Sequence, residues 1–257
     1  MIQEITGCCE GCQAATERTA GMEVYRNPSD RISHSRTPHR ISNKIFCLMG
    51  KSASGKDTIY RRIMGRAAGD EAQTEEGSKT RQAAAHRLQR VIPCTTRPMR
   101  TGEKDGETYY FETDQQFAAA KAAGIMIESR DYRTVHGIWH YYTKDDGQID
   151  LEKSSYLLIG TLESYRSFCD YYGTEAVVPL YIELDPGERL ERALKRERKE
   201  PAPRYAELCR RFLADEEDFS EEKLKEAGIT ARYQNDVIDR CVEEVWKKIC
   251  QELDLNP

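Results

Sequence analysis

The stretch Gly50-Lys51-Ser52-Ala53-Ser54-Gly55-Lys56-Asp57-Thr58 constrains this chain more than any other. It has the spacing Gly-x4-Gly-Lys, leaves a short apolar run at 44–49 and enters a helical pattern at 56–66. A strand–turn–helix of this kind points backbone N–H groups and a positive helix N-terminus at one place, where phosphate is favoured. Lys56 adds a compact positive charge for the outer phosphate oxygens. Gly50, Ser52, Ala53, Ser54, Gly55, Lys56, Asp57 and Thr58 are therefore candidate contacts to a bound triphosphate. Asp57 stands where Ser or Thr is usual. A carboxylate beside phosphates needs a cation between them, so Asp57 is a candidate ligand for hydrated Mg2+. The alternative is that Asp57 caps the helix and Thr58 supplies the hydroxyl.

The remaining pattern agrees with an α/β fold. Strand-like segments at 90–92, 125–128, 138–143, 155–159 and 177–184 accompany helical patterns at 162–172, 186–199, 205–227 and 239–253. Asp114 reads as the cap of a helix whose apolar positions Phe117, Ala120 and Ala123 run to Gly124. Strands alternating with helices imply a parallel sheet covered on both faces. Residues 1–42 have no sustained period and carry five acidic and five basic side chains, so they read as an extension to a domain at 43–257. Residues 67–79, rich in Gly, Glu, Gln and Thr, read as a surface insertion.

Charge and cysteine usage narrow the function classes. Thirty-nine Lys and Arg against 44 Asp and Glu give a net charge of −5, which argues against a nucleic-acid coat. The longest apolar runs, such as 156–160, are strand-sized, so no membrane span is expected. The segment after Met1 lacks a basic region followed by an apolar one, so no secretory signal is expected. The odd count of nine cysteines fits a reducing, cytoplasmic setting, with Cys47, Cys209, Cys241 and Cys250 as small buried apolar groups. Cys8, Cys9 and Cys12, with His34 and His39 downstream, lack the second pair spacing of a zinc site.

A second motif follows. Residues 95–111 contain Thr95-Thr96-Arg97, Arg100, Gly102-Glu103, Gly106, Tyr109 and Phe111. Two arginines three apart, braced by Pro98, can fork onto one phosphate, and Tyr109 can add a phenol donor. With the glycine-rich loop before it, this pattern resembles the guanylate kinase family, over about 44–253. The resemblance implies a three-layer P-loop fold with a parallel core sheet, a small monophosphate-binding subdomain at 93–143 and a helical lid at 189–211. It also implies ATP-dependent phosphorylation of GMP or dGMP. On it, Arg97, Arg100 and Tyr109 grip the acceptor phosphate, Glu128 reads the base and Asn235 lies near the adenine.

Several positions depart from that family's pattern. Pro93 replaces a small hydroxyl residue and cannot donate a hydrogen bond to a base. Gly137-Ile138-Trp139-His140-Tyr141-Tyr142-Thr143 replaces a Gly-Asn-Tyr-Tyr-Gly-Ser/Thr stretch, which makes His140 and Tyr141 candidate base-stacking groups. Ile159-Gly160-Thr161 stands where Asp-x-Asp is expected. Phosphate handling survives these changes, while the accepted base becomes the open question.

Residues 189–211 hold nine Lys or Arg against four Glu, whereas 212–257 hold six against thirteen acidic residues. Arg196, Arg198, Arg210 and Arg211 fit a lid that brings charge to a transferring phosphoryl group. The expectation is a kinase using ATP and Mg2+ on a nucleoside monophosphate. A non-catalytic interaction module with the same fold and a kinase of another small phosphorylated acceptor stand as alternatives.

Overall fold

A computed structural model describes residues 43–69, 88–100, 102–134 and 137–255. The extension at 1–42, with Cys8, Cys9 and Cys12, lies outside the described residues, as does most of the expected insertion at 67–79. Within that insertion, Ala67 and Ala68 complete the first helix, which Gly69 ends in a left-handed conformation.

The core is a five-stranded parallel sheet in the order β2-β7-β1-β8-β9. Its strands are β1 (Ile45–Met49), β2 (Leu88–Arg90), β7 (Ser155–Ile159), β8 (Val177–Glu183) and β9 (Tyr233–Gln234). All five side chains of β1 are buried, because helices cover both faces of this central strand. Phe46 and Leu48 pack with α1 (Lys56–Ala68) and α7 (Ile238–Glu252) through Ile59, Ile63, Val245 and Trp246. Ile45, Cys47 and Met49 pack on the other face with α3 (Leu162–Tyr172) through Leu162, Tyr165 and Phe168. Emptying one such position, as in Phe46→Ala, costs about 3–5 kcal/mol in a core of this kind. Pro179 is tolerated inside β8 because β9 pairs only with Ile182 and Glu183, so that side of Pro179 has no ladder to break.

A second, four-stranded sheet has the order β4-β3-β6-β5. It is built from β3 (Cys94–Thr95), β4 (Tyr110–Phe111), β5 (Met126–Thr134) and β6 (Gly137–Lys144), with β5 and β6 antiparallel. The helix α2 (Asp114–Ala122) lies against it through Phe117 and Ala120, which pack with Cys94 and Tyr142. Three further helices, α4 (Pro186–Glu197), α5 (Tyr205–Asp218) and α6 (Glu221–Glu226), follow β8.

The structure corrects several expectations. The strand expected at 90–92 runs over Leu88–Arg90 instead. Asp114 does not cap α2: Thr113 does, in a reciprocal box with Gln116, and Asp114 occupies the first turn. Ala123, expected in the apolar stripe, is exposed. The helix expected over 205–227 is two helices, because Phe219 turns into the core and the Ser220 hydroxyl accepts from Lys223 N–H to start α6. Cys209 is exposed, while Cys47, Cys94, Cys169, Cys241 and Cys250 are buried and unpaired. The short strands β3, β4 and β9 carry too few residues for a visible period. Among the described residues no helix is long and apolar enough to cross a membrane.

Candidate functional site

The glycine-rich loop joins the C-terminal end of β1 to α1, where parallel α/β sheets place ligands. Ala53 and Gly55 have φ of 63° and 92°, which wind the loop into a cup. Gly55 is required twice over: its φ is left-handed, and a Cβ there would sit 2.2 Å from Asn235 Nδ2. Asn235 Nδ2 donates to the Ser54 carbonyl at 2.6 Å, and the Asn235 backbone N–H donates to Glu183 O at 2.8 Å. The loop is thereby tied to β8. Asn235, expected near the adenine, is buried and commits its amide N–H to the loop.

Acidic residues of α5 hold the other side of the loop. Ser52 N–H donates to the Asp215 carboxylate at 2.7 Å, and Lys51 Nζ donates to Glu216 at 2.6 Å. Arg189, 1% exposed, lies 3.6 Å from Asp215, pairs with Glu216 and packs over the Phe212 ring. Arg189 falls inside the segment expected to form the lid, yet it is a fixed strut of the loop. Burial needs a paired charge, and Asp215 and Glu216 supply it.

Lys56 opens α1 half-buried, and among the described residues it has no side-chain partner. Asp57 and Thr58 are exposed and line a cavity of about 720 Å³ with Ala53, Gly55, Arg61, Arg192, Arg196 and Asn235. The N-cap of α1 is Gly55, with no side-chain cap, so the capping role considered for Asp57 is not realised. Among the described residues no three His, Cys, Asp or Glu side chains are grouped to hold a metal. Nucleotide-bound Mg2+ takes one or two protein oxygens and fills its shell with phosphate and water. The Asp57 carboxylate and Thr58 hydroxyl fit that donor set.

The arginine loop is the second candidate half of the site. Arg97, 4% exposed, donates to both oxygens of Glu103 at 2.7 and 2.6 Å and packs 5.1 Å over the Tyr109 ring and 5.2 Å over Phe111. The hydrogen bond from Arg97 holds the Glu103 carboxyl at a pKa of about 2, and the Arg100 backbone N–H assists. Arg100 itself is exposed. Burial pushes the Tyr109 phenol up, and the charges of Arg130, Arg97 and Asp57 all reach it.

The hairpin β5–β6 sorts its side chains by alternation. Glu128 lies opposite Thr143 and Arg130 opposite Tyr141, so these four share one face. Glu128 accepts from Thr143 Oγ1 at 3.0 Å and from Arg130 Nε at 3.0 Å. Tyr141 stands between Tyr109 and Tyr132, with ring centroids 5.5 and 5.3 Å away. His140 takes the opposite face: its ring stacks on Phe117 at 3.8 Å and Nδ1 meets Asp131 at 2.6 Å. The expectation that His140 stacks on a base is thus corrected, because one step along a strand reverses the side chain's direction. Tyr142, on the same opposite face, is fully buried with its hydroxyl on Glu112, so it does not crowd the Glu128 face.

The stretch lacking the expected Asp-x-Asp has a structural role. Thr161 caps α3 with Ser164, and a Cβ on Gly160 would meet Cys47 Sγ at 2.6 Å. Of the arginines expected in a lid, Arg196 reaches the 720 Å³ cavity. Arg198 is exposed at the C-cap of α4. Arg210 forks onto Glu207 at 2.8 and 2.7 Å, and Arg211 lies 3.8 Å from Glu197. Arg192, read in the sequence as one of the basic block, donates to Asn235 O at 3.2 Å, and sequence reasoning missed Arg130, Asp215 and Glu216. Only the i, i+2 spacing of Glu128 and Arg130 could have signalled any of these.

Comparison with known proteins gives a consistent picture. The family model described as guanylate kinase matches residues 42–139. A guanylate kinase of Symbiobacterium thermophilum is 29% identical over 113 residues, covering 44% of this chain and 43% of that protein. A guanylate kinase of Bifidobacterium longum is 24% identical over 238 residues, covering 85% of this chain and all of that protein. Among solved structures, the guanylate kinase of Anaplasma phagocytophilum superposes with a TM-score of 0.55 at 17% identity, over 82% of this chain and 86% of that one.

Proposed function

We propose, from the premise that the chain is a divergent member of the guanylate kinase family, that it transfers the terminal phosphoryl group of ATP to GMP or dGMP. The products are the nucleoside diphosphate and ADP. One observation carries this reading: the glycine-rich loop presents a half-buried Lys56 with no side-chain partner among the described residues, and Arg97 is held by both oxygens of Glu103 over the Tyr109 ring. Two built anion sites are what transfer between two phosphates needs.

In this reading Lys56 and the loop N–H groups hold the triphosphate. Asp57 and Thr58 would hold Mg2+, which when bound neutralises charge on the phosphates. Arg97, fixed by Glu103, presents its remaining N–H groups to the acceptor phosphate, joined by Arg100 and Tyr109. Glu128 and Tyr141 orient the base. Arg196, Arg198, Arg210 and Arg211 supply charge from the lid as it closes, which also excludes water. Transfer of this kind requires positioning and charge neutralisation rather than a covalent intermediate. We assign residues 93–143 to acceptor binding and 189–211 to the lid, with Arg189 excepted as a strut.

The test is ADP release by the full chain with ATP, Mg2+ and a panel of nucleoside monophosphates. Turnover with GMP or dGMP well above AMP, CMP and UMP is expected. Nucleotide binding without turnover on any acceptor would overturn the assignment.

A further inference from the structure

In the proposed reading guanine O6 has only hydroxyl donors on the Glu128 face, those of Tyr141 and of Thr143, and the Thr143 hydroxyl is committed to Glu128. Glu128 is an acceptor and suits N1–H and N2–H2, but its carboxylate repels O6. Pro93 has no donor to offer, since it lacks an N–H. The structure places another donor beside Glu128. Arg130 lies two residues along β5 on the same face, and its Nε donates to Glu128 Oε2 at 3.0 Å. The second carboxylate oxygen is held by Thr143 at 3.0 Å, so the pair is fixed from both strands of the hairpin.

Four properties make Arg130 a reader rather than a simple counter-ion. Its side chain is 14% exposed and that of Glu128 is 2% exposed, so the pair sits at the floor of the face and not at its rim. Among the described residues, Nε is the only guanidinium nitrogen with a hydrogen-bonding partner, and the two terminal nitrogens are not sealed from solvent. The neighbouring rings Tyr109, Tyr132 and Tyr141 form aromatic walls on the same face. Although burial works against the charge, Glu128 and Tyr132 hold Arg130 above the ordinary arginine value, so it remains a pure donor.

We infer that Arg130 is a specificity-determining residue that donates to O6 and N7 of the acceptor base while Glu128 accepts from N1–H and N2–H2. This rests on the proposed guanine-nucleotide kinase reading and deepens it. An arginine fork matches O6 and N7 of guanine geometrically. Adenine would set its N6–H2 donors against the guanidinium and its N1 acceptor against the carboxylate, two repulsive pairings in a desolvated pocket. The linked pair therefore both attracts guanine and rejects adenine.

The experiment measures kcat/KM of the full chain for GMP, 6-thioguanosine monophosphate and IMP, in the native protein, Arg130→Met and Arg130→Lys. The thio analogue keeps N1–H and N2–H2 but offers a weak acceptor in place of O6; IMP lacks the N2 amine. The native protein should prefer GMP over the thio analogue about tenfold or more. Arg130→Met should bring that ratio close to one, with Arg130→Lys intermediate, while the GMP/IMP ratio moves less than about threefold. A GMP/thio ratio unchanged in Arg130→Met would overturn the inference while leaving the kinase reading intact. If Arg130→Met does not fold, a native protein that uses GMP and the thio analogue equally overturns it as well. Absence of GMP turnover in the native chain overturns both.

Discussion

The side chain of Asn235 fills the space a Cβ on Gly55 would need, with Nδ2 2.2 Å from that point. A residue from the C-terminal part of the chain therefore sets the shape of the glycine-rich loop, by donating to Ser54 O at 2.6 Å across 181 positions of sequence.

Gly55→Ala tests this fit. The left-handed φ of 92° costs a non-glycine residue about 1–2 kcal/mol, and the clash with Asn235 adds to it. Thermal unfolding should shift down by about 4 °C or more, and ATP binding measured by calorimetry should be lost. A variant that binds ATP normally would contradict the account of the loop.

Asn235→Ala removes the brace and leaves the Ser54 carbonyl buried without its donor. A lost buried partner costs about 1–3 kcal/mol. The KM for ATP should rise while the KM for GMP stays nearly constant, because the brace touches only the loop proposed to hold the triphosphate. Equal changes in both constants would point to general unfolding instead.

Lys56→Ala should lower kcat by about two to three orders of magnitude, the range for removing one group that stabilises developing charge. Lys56 has no side-chain partner among the described residues, so the melting temperature should hardly move. Steady-state kinetics and a thermal melt on the same preparation check both halves of this statement.

Glu128→Gln should reduce the preference for GMP over AMP in competition assays. It also leaves Arg130 without its counter-charge at a site where the pair is 2% and 14% exposed. Removing one partner of a buried pair is destabilising by several kcal/mol at most, on the order of 3–5. An unchanged GMP/AMP ratio would remove Glu128 from base reading.

The Arg97–Glu103 pair gives a pH prediction. The Glu103 carboxyl is lowered from 4.5 to about 2 by the hydrogen bond from Arg97. A depressed carboxyl stabilises the folded state above its unfolded pKa and loses that contribution as pH falls through the folded value. The stability difference between the native chain and Glu103→Gln should be constant from pH 8 to about 5. It should then shrink as pH falls from 4.5 towards 2, by urea titration at each pH.

Local chemistry was readable where neighbours in sequence do the work. The Gly50–Thr58 loop, the Arg97–Tyr109 loop and the Leu162–Tyr172 helix all depend on spacing and capping within a few residues. The 205–227 segment misled because its charge pattern continues through the break, and only the burial of Phe219 ends the first helix. His140 was placed wrongly for a similar reason. Its motif position suggested a base contact, but strand register with β5 sends its ring to Phe117.

The sequence by itself determined the glycine-rich strand–helix loop, the α/β alternation and the arginine pair, because these rest on backbone freedom and short-range periodicity. Tertiary structure alone decided which charges are struts and which are free to meet a ligand. Arg189 and Lys51 are spent on Asp215 and Glu216, whereas Lys56 keeps its charge unpaired among the described residues. The distinction is one of desolvation: a buried cation must be paired, and its partner lies far along the chain, where no local pattern reports it.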